Sequence, residues 1–269
     1  LTNTNKSIKT PLRYPGGKSR LVKQILAMAP EEYSEYREPF LGGGSVLFAV
    51  HNSKPSIVKK AGDSFQPLYT FWNACKTEPK ELYHQVFFGK KLLIGKYLWE
   101  RCKKTVSDMS PEMRDVDRAA AYFTLNRITF SGLTLSGGYS KASHASRFNI
   151  SHIDRLNDAH AVMKDVDLRH ADYTELLHEP GNNVWIFLDP PYDIKSDNLY
   201  GKAGDGHKGF DHVKFAEECR KCKHKWLVTY NDNENIRELF KWANIKEVPV
   251  KYSMNSTAKN KVELFITNY

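Results

Sequence analysis

Several things are scarce in this chain of 269 residues, and each scarcity removes a class of protein. Its four cysteines are Cys75, Cys102, Cys219 and Cys222, and only the last two share a CxxC spacing. A tetrahedral zinc site needs a second such pair, so no metal is expected, and the lone CxxC, set among lysines, reads as reduced thiols on a helix surface. No run approaches the ~18 to 20 apolar residues that span a bilayer, and the opening LTNTNKSIKT lacks the apolar stretch of a secretory signal. A cytoplasmic protein with no membrane partner is the expectation. Acidic side chains are the minority: 40 Lys and Arg against 31 Asp and Glu give 40 − 31 = +9. A phosphate backbone fits that balance, although charge alone is a weak argument for it.

What is present is enough for one large domain, or a domain with a second inserted in it: 41% of residues are hydrophobic and 12% aromatic. Short apolar runs at Ile57-Val58, Val184 to Leu188, Trp226 to Thr229 and Val262 to Thr267 alternate with amphipathic stretches, the pattern of a mainly parallel sheet covered by helices. The outer blocks, 1–73 and 166–269, read as one α/β core, and 74–165 as an insertion. That middle region holds helix-like segments at Lys80 to Lys103 and Pro111 to Leu125, then a Gly- and Ser-rich stretch from Ser131 to Ser146. The stretch reads equally as a solvated loop or as a long hairpin whose Tyr139, Lys141, His144 and nearby Arg147 suit phosphates and bases.

The sharpest motif is Asp189-Pro190-Pro191-Tyr192, directly after the run Val184-Trp185-Ile186-Phe187-Leu188. Two prolines cannot continue a hydrogen-bond ladder, so the strand ends at Asp189, at the carboxyl edge where open α/β sheets bind ligands. An amine conjugated to a ring, such as adenine N6, is a poor nucleophile unless its protons are held by acceptors. The Asp189 carboxylate and the Pro190 carbonyl, restrained by Pro191, offer two, and Tyr192 offers a stacking face. A second motif, Glu38-Pro39-Phe40-Leu41-Gly42-Gly43-Gly44-Ser45, reads as strand, glycine turn and helix. Its spacing is not GxGxxG, which favours a cofactor without a pyrophosphate. Asp63 lies 63 − 44 = 19 residues further on, after a second strand, and suits either ribose hydroxyls or a helix cap. In Leu12-Arg13-Tyr14-Pro15-Gly16-Gly17-Lys18, Lys18 suits a carboxylate partner and Tyr14 a sulfonium or an adenine ring; a plain turn and helix start is the competing reading.

YPGGK, EPFLGGGS and DPPY in this order resemble the Dam-like (D12 class) family of DNA adenine N6 methyltransferases. The likeness extends to Leu125-Asn126-Arg127, Phe130-Ser131-Gly132-Leu133, Arg147-Phe148-Asn149, Tyr230-Asn231-Asp232 and the closing Glu263 to Tyr269. The resemblance implies a Rossmann-like core with an inserted, mostly helical target-recognition domain bearing a β-hairpin. It implies S-adenosyl-L-methionine as methyl donor, without metal, and methylation of a flipped adenine in duplex DNA. By the resemblance, Tyr14, Lys18, Phe40, Gly42, Gly43, Gly44, Asp63, Asp172 and Asp189 match cofactor positions, and Asp189, Pro190, Pro191 and Tyr192 the catalytic motif. Asn126, Arg127, Phe130, Ser131, Tyr139, Lys141 and Arg147 become candidates for DNA contact, with Phe130 at a wedge position. Ser131 replaces the family's usual Asn, the segment after Leu133 lacks the arginine of a GATC reader, and Phe148-Asn149 is followed by Ile150-Ser151 without the usual proline, so a GATC target is not implied. Competing readings are methylation of RNA or of a protein amide, and a DNA-binding relative without catalysis. A companion restriction endonuclease is compatible with all of this.

Overall fold

The computed structural model of the chain describes residues 7–92, 94–193, 209–250 and 261–269. A 3-10 turn at Lys18–Arg20 and helix α1 (Val22–Ala27) precede strand β1 (Glu35–Glu38), which leads through the glycine turn into α2 (Ser45–Ser53). Strand β2 (Val58–Gly62) and helix α3 (Gln66–Thr77) follow. Helices α4 (Pro79–Leu92), α5 (Gly95–Ser107), α6 (Asp115–Ile128), α7 (Lys141–Arg147), α8 (Ile150–Ile153) and α9 (Arg155–Met163) then intervene before the chain returns to the sheet as β3 (Val166–Arg169). It continues through α10 (Tyr173–His178), β4 (Val184–Leu188), α11 (His212–Lys221), β5 (Lys225–Asn231), α12 (Glu234–Leu239), β6 (Asn244–Val250) and β7 (Lys261–Thr267).

Among the described residues the sheet has seven strands in the order β3-β2-β1-β4-β5-β7-β6. All pairings are parallel except those of β7, which runs antiparallel to both β5 and β6. Every residue of β4 is buried, as a strand covered on both faces must be. Its side chains alternate: Trp185 and Phe187 join the cluster of α2, α3 and α6, while Val184, Ile186 and Leu188 join that of α10 to α12. Helix α6 is the buried axis of the inserted helices and packs on α3, α4 and α5.

Two local expectations change. The helix-like segment Lys80 to Lys103 is two helices, since α4 stops at Leu92 and α5 begins at Gly95, where Ile94 is extended and Gly95 takes φ +63°, both outside helical geometry. In place of the β-hairpin, a single antiparallel bridge joins Thr129 and Tyr139, and Lys141–Arg147 is helical. The Ser140 side chain accepts from the Ser143 N–H at 3.2 Å, and this N-cap starts a helix where an extended return strand was expected.

Candidate active site

Chain order switches sides between β1 and β4, since β2 and β3 lie to one side of β1 and β4 to the other. Such a switch opens a crevice at the carboxyl ends of the strands. Tyr36 pairs with Trp185 and Arg37 with Ile186, so three residues further along each chain Phe40 stands level with Asp189. In the next pair Leu188 opposes Val228, which brings Thr229 level with Asp189, and its Oγ1 donates to Asp189 Oδ1 at 2.9 Å.

The glycine turn is held by two aromatic rings. Gly42 and Gly44 take φ of +48° and +68°, and the Trp72 indole donates to Gly42 O at 3.0 Å. Tyr14 lies against the other side, where a Cβ on Gly43 would sit 2.6 Å from Tyr14 Cβ. Gly43→Ala is therefore expected to cost about 1–3 kcal/mol by overpacking. Gly89→Ala, in α4 with nothing within 4 Å of the added carbon, is expected to be neutral or slightly stabilising. Urea unfolding of the two variants checks this, and a Gly43→Ala protein as stable as the parent would refute the clamp.

Lys18 bridges to the catalytic motif. Its Nζ lies 2.7 Å from Asp189 Oδ1 and 2.8 Å from Oδ2, donates to Gly16 O at 2.8 Å, and stands 4.7 Å from the Tyr192 ring centroid. The Tyr192 hydroxyl donates to Glu263 Oε2 at 2.7 Å, and its ring packs on Tyr230. Phe40 stacks on Tyr173 with centroids 5.3 Å apart. Asp63 uses both oxygens on backbone N–H groups, Oδ2 accepting from Gly42 and Oδ1 from Phe65, each at 3.0 Å. It thus ties the glycine turn to the start of α3, and burial raises its pKa against the pull of those two donors. Asp172 N-caps α10, accepting from the Thr174 N–H.

Tyr14, Lys18, Phe40, the three glycines, Asp63, Asp172 and Asp189 to Tyr192 all line one cavity of about 1010 Å³. Residues that sequence reasoning did not assign also line it: Glu38, Asn231 and Glu263 from the core, and Tyr122 and Leu133 to Leu135 from the inserted region. Asn231 and Glu263 are register partners on β5 and β7, and Asn231 Oδ1 is buried with no hydrogen-bond partner among the described residues.

Glu38 is buried, and Tyr36 Oη donates to its Oε2 at 2.6 Å. Burial pushes its carboxyl up to about 8, opposed by the Tyr36 hydroxyl and reinforced by Asp189. A carboxyl whose folded pKa lies above its ordinary 4.5 keeps a proton that the unfolded chain releases. Its contribution to stability is therefore complete below that ordinary value and is lost as pH rises through the folded one. Between about pH 5 and 8 the parent is expected to lose stability from this group, and Glu38→Gln to flatten that part of the profile. Denaturation midpoints across the window test this; parallel profiles would mean that Glu38 is ionised throughout.

The candidates for DNA contact separate into two groups. Phe130 is exposed, Ser131 takes φ +53° beside Gly132 and Leu133 at the cavity wall, and Lys141 and Arg147 are exposed on α7. The half-buried Tyr139 lies beside them, its hydroxyl 3.2 Å from His144 Nδ1. Asn126 and Arg127, by contrast, are buried. Asn126 Oδ1 accepts from Arg13 N at 2.9 Å and its Nδ2 donates to Arg13 O at 2.6 Å, so it holds the N-terminal segment rather than a base. The CxxC also differs from expectation: Cys219 and Cys222 are buried beneath α11, not on its surface, because both face the apolar cluster against Leu177 and Trp226. Burial raises both thiols, which leaves them inert. No group of metal-ligating side chains occurs among the described residues, nor any helix long and apolar enough to cross a membrane.

The fold is of the open α/β class, with its cavity at the carboxyl ends of the strands. Residues 14–254 match the family model for D12 class N6 adenine-specific DNA methyltransferases, and the chain belongs to that family. It is similar to a type II methyltransferase of Lactococcus lactis subsp. cremoris, at 22% identity over 96% of this chain and 94% of the relative. A type II methyltransferase of Paramecium bursaria Chlorella virus NC1A is 25% identical over 87% and 86% of the two chains. A DNA adenine methylase of Haemophilus influenzae is 23% identical over 94% and 90%. The protein is an adenine-specific DNA methyltransferase, using a methyl donor and acting on DNA.

Proposed function

We propose that the chain transfers a methyl group from S-adenosyl-L-methionine to N6 of an adenine rotated out of duplex DNA. The observation that carries this is the shared cavity, lined together by the glycine turn, Asp189-Pro190-Pro191-Tyr192 and Lys18, which pairs with Asp189. Its volume, about 1010 Å³, lies at the upper end of the usual range for ligand pockets, leaving room for a base beside the donor. The residues fit that donor. The turn admits close approach of its backbone, Phe40 and Tyr14 present aromatic faces, Asp63 and Asp172 present carboxylates, and Asn231 Oδ1, buried without a partner among the described residues, adds an acceptor. When bound, S-adenosyl-L-methionine supplies an electrophilic methyl group on a positive sulfur.

The chain's own part is alignment and acceptance of hydrogen bonds from the amine, whose surplus proton leaves to water once the methyl is in place, with S-adenosyl-L-homocysteine as the other product. Asp189, oriented by Lys18 and Thr229, retains acceptor capacity for one N6–H, and the Pro190 carbonyl takes the second. Tyr192, anchored through its hydroxyl to Glu263, stacks on the base. Flipping costs a few kcal/mol, which contacts from the inserted region, Phe130 among them, offset. The domain division into a core and an inserted recognition region, 74–165, belongs to the same proposal. So does action in the cytoplasm of a bacterial or phage-infected cell, where such DNA lies. The type II designation of two relatives supports a companion endonuclease.

Incubation of duplex DNA, RNA and a bulk protein substrate with labelled donor is expected to label the DNA alone. Label in RNA or protein would favour those rivals, and DNA binding without donor uptake in calorimetry would favour the non-catalytic one.

A further inference from the structure

Arginine is concentrated where the inserted helices meet the N-terminal segment. Arg127, on the last turn of α6, is 1% exposed, and its Nε and Nη2 have no hydrogen-bond partner among the described residues. Burial pulls its pKa down to about 9, and Arg155, Arg13 and Arg147 act in the same direction. His152 is held at about 4 by burial and then by the same four arginines. Among the described residues no carboxylate acts on either, and the nearby Asp154 instead accepts from the Tyr83 hydroxyl at 3.0 Å. The guanidinium lies 5.2 Å from the Phe123 ring centroid, but a desolvated cation whose charged neighbours are cations is still an unfavourable arrangement in the free protein, and an anion docking beside it relieves that cost.

The cluster has an open side. Arg147, ending α7, is exposed, while Arg13 and Arg155 are half-buried. Arg13 is held in place: Asn126 takes both its backbone N–H and its carbonyl, and its guanidinium donates to Ser143 Oγ at 3.5 Å. It also abuts Gly132 at the cavity wall, where a Cβ would lie 2.5 Å from Arg13 O. The same arginine lines a small polar cavity of about 300 Å³ with Ser19, Ser45 and Ser131. The arginines therefore adjoin the reaction cavity without entering it. Guanidinium forks match the tetrahedral oxygens of a phosphodiester, and such a contact positions a duplex without reading its sequence.

We propose that Arg13, Arg127, Arg147 and Arg155 form one site for a single phosphate of the DNA backbone, beside the cavity, with the DNA supplying the counter-charge that the fold omits. This rests on the DNA reading above. The test is duplex affinity as a function of salt for the parent, Arg147→Gln, Arg155→Gln, the double variant and Lys223→Gln, the last an exposed cation at the amino end of β5, whereas the cavity lies at the carboxyl ends of the strands. Each arginine variant is expected to bind about tenfold more weakly, equally on target and non-target duplexes, with a log–log salt slope shallower by about one. Because all four arginines address one phosphate, the double variant should lose no more slope than either single one, and Lys223→Gln should match the parent. Replacing the phosphates one at a time by methylphosphonate should reveal one position that weakens the parent but not Arg155→Gln. Unchanged slopes in both single variants, while the parent binds duplex in a salt-dependent way, would overturn the site. Additive losses in the double variant would overturn the single phosphate. A parent that binds no duplex at all would instead remove the DNA reading itself.

Discussion

Asp189→Ala is expected to lower methyl transfer to duplex DNA by about a hundredfold to a thousandfold, the scale seen when a preorganised polar group is removed from a reacting centre. The interpretation needs a stability control, because Asp189 is also the partner of Lys18, whose side chain is only 5% exposed. Removing one member of a buried pair leaves the other desolvated and alone, at a cost of about 3–5 kcal/mol. The single variant should therefore be both inactive and less stable. Lys18→Met combined with Asp189→Ala removes the orphaned charge, so stability should recover in the double variant while transfer stays lost. Single-turnover transfer and urea midpoints on the three proteins separate the two roles. Recovery of activity along with stability would show that Asp189 serves only the fold.

A stability effect of the same size is expected at Arg37, on β1. Its guanidinium is fully buried, with Nε donating to Glu35 Oε1 at 2.6 Å, Nη1 to the carbonyls of Leu176 and Glu179 at 2.8 and 2.6 Å, and Nη2 to Pro180 O at 3.1 Å. These bonds tie β1 to the segment that leads from α10 into β4, and so fix the two strands whose ends carry the site. Arg37→Met would take their donor from the Leu176 and Pro180 carbonyls and leave Glu35 with Lys60 and the Glu179 carbonyl with His224 alone, costing about 3–5 kcal/mol. For a chain of this size that corresponds to a fall in Tm on the order of 10 °C. Lys60→Met, which takes a cation from the same acids at a partly solvated position, should cost at most about 1 kcal/mol. Similar melting temperatures for Arg37→Met and Lys60→Met would contradict the assignment of Arg37 as the tie.

The parts legible from sequence were those whose local chemistry leaves one solution. Val184–Leu188 followed by two prolines specifies a buried strand and where it stops, and Gly42 to Gly44 specify a turn that no side chain could cross. Strand β6 was not legible, because NIKEVPV lies at a sheet edge with most of its side chains toward solvent and has no continuous apolar run. The recognition hairpin was misread because Gly- and Ser-rich sequence suits many turns, and the cap at Ser140 decides the outcome only once Ser143 lies within reach. Glu38, Asn231 and Glu263 belong to the cavity by strand register, which pairs residues far apart in the chain. Asn126 followed the same logic: its burial depends on Arg13, 113 positions away.

The central claim is that one cavity holds adenine N6 against the donor's methyl group. Nucleoside mass spectrometry of duplex DNA incubated with S-adenosyl-L-methionine deuterated at its methyl tests this most directly. The account predicts that the intact trideuteromethyl group appears on N6 of deoxyadenosine. Label on cytosine, or adenine methylated without the deuterium, would contradict it.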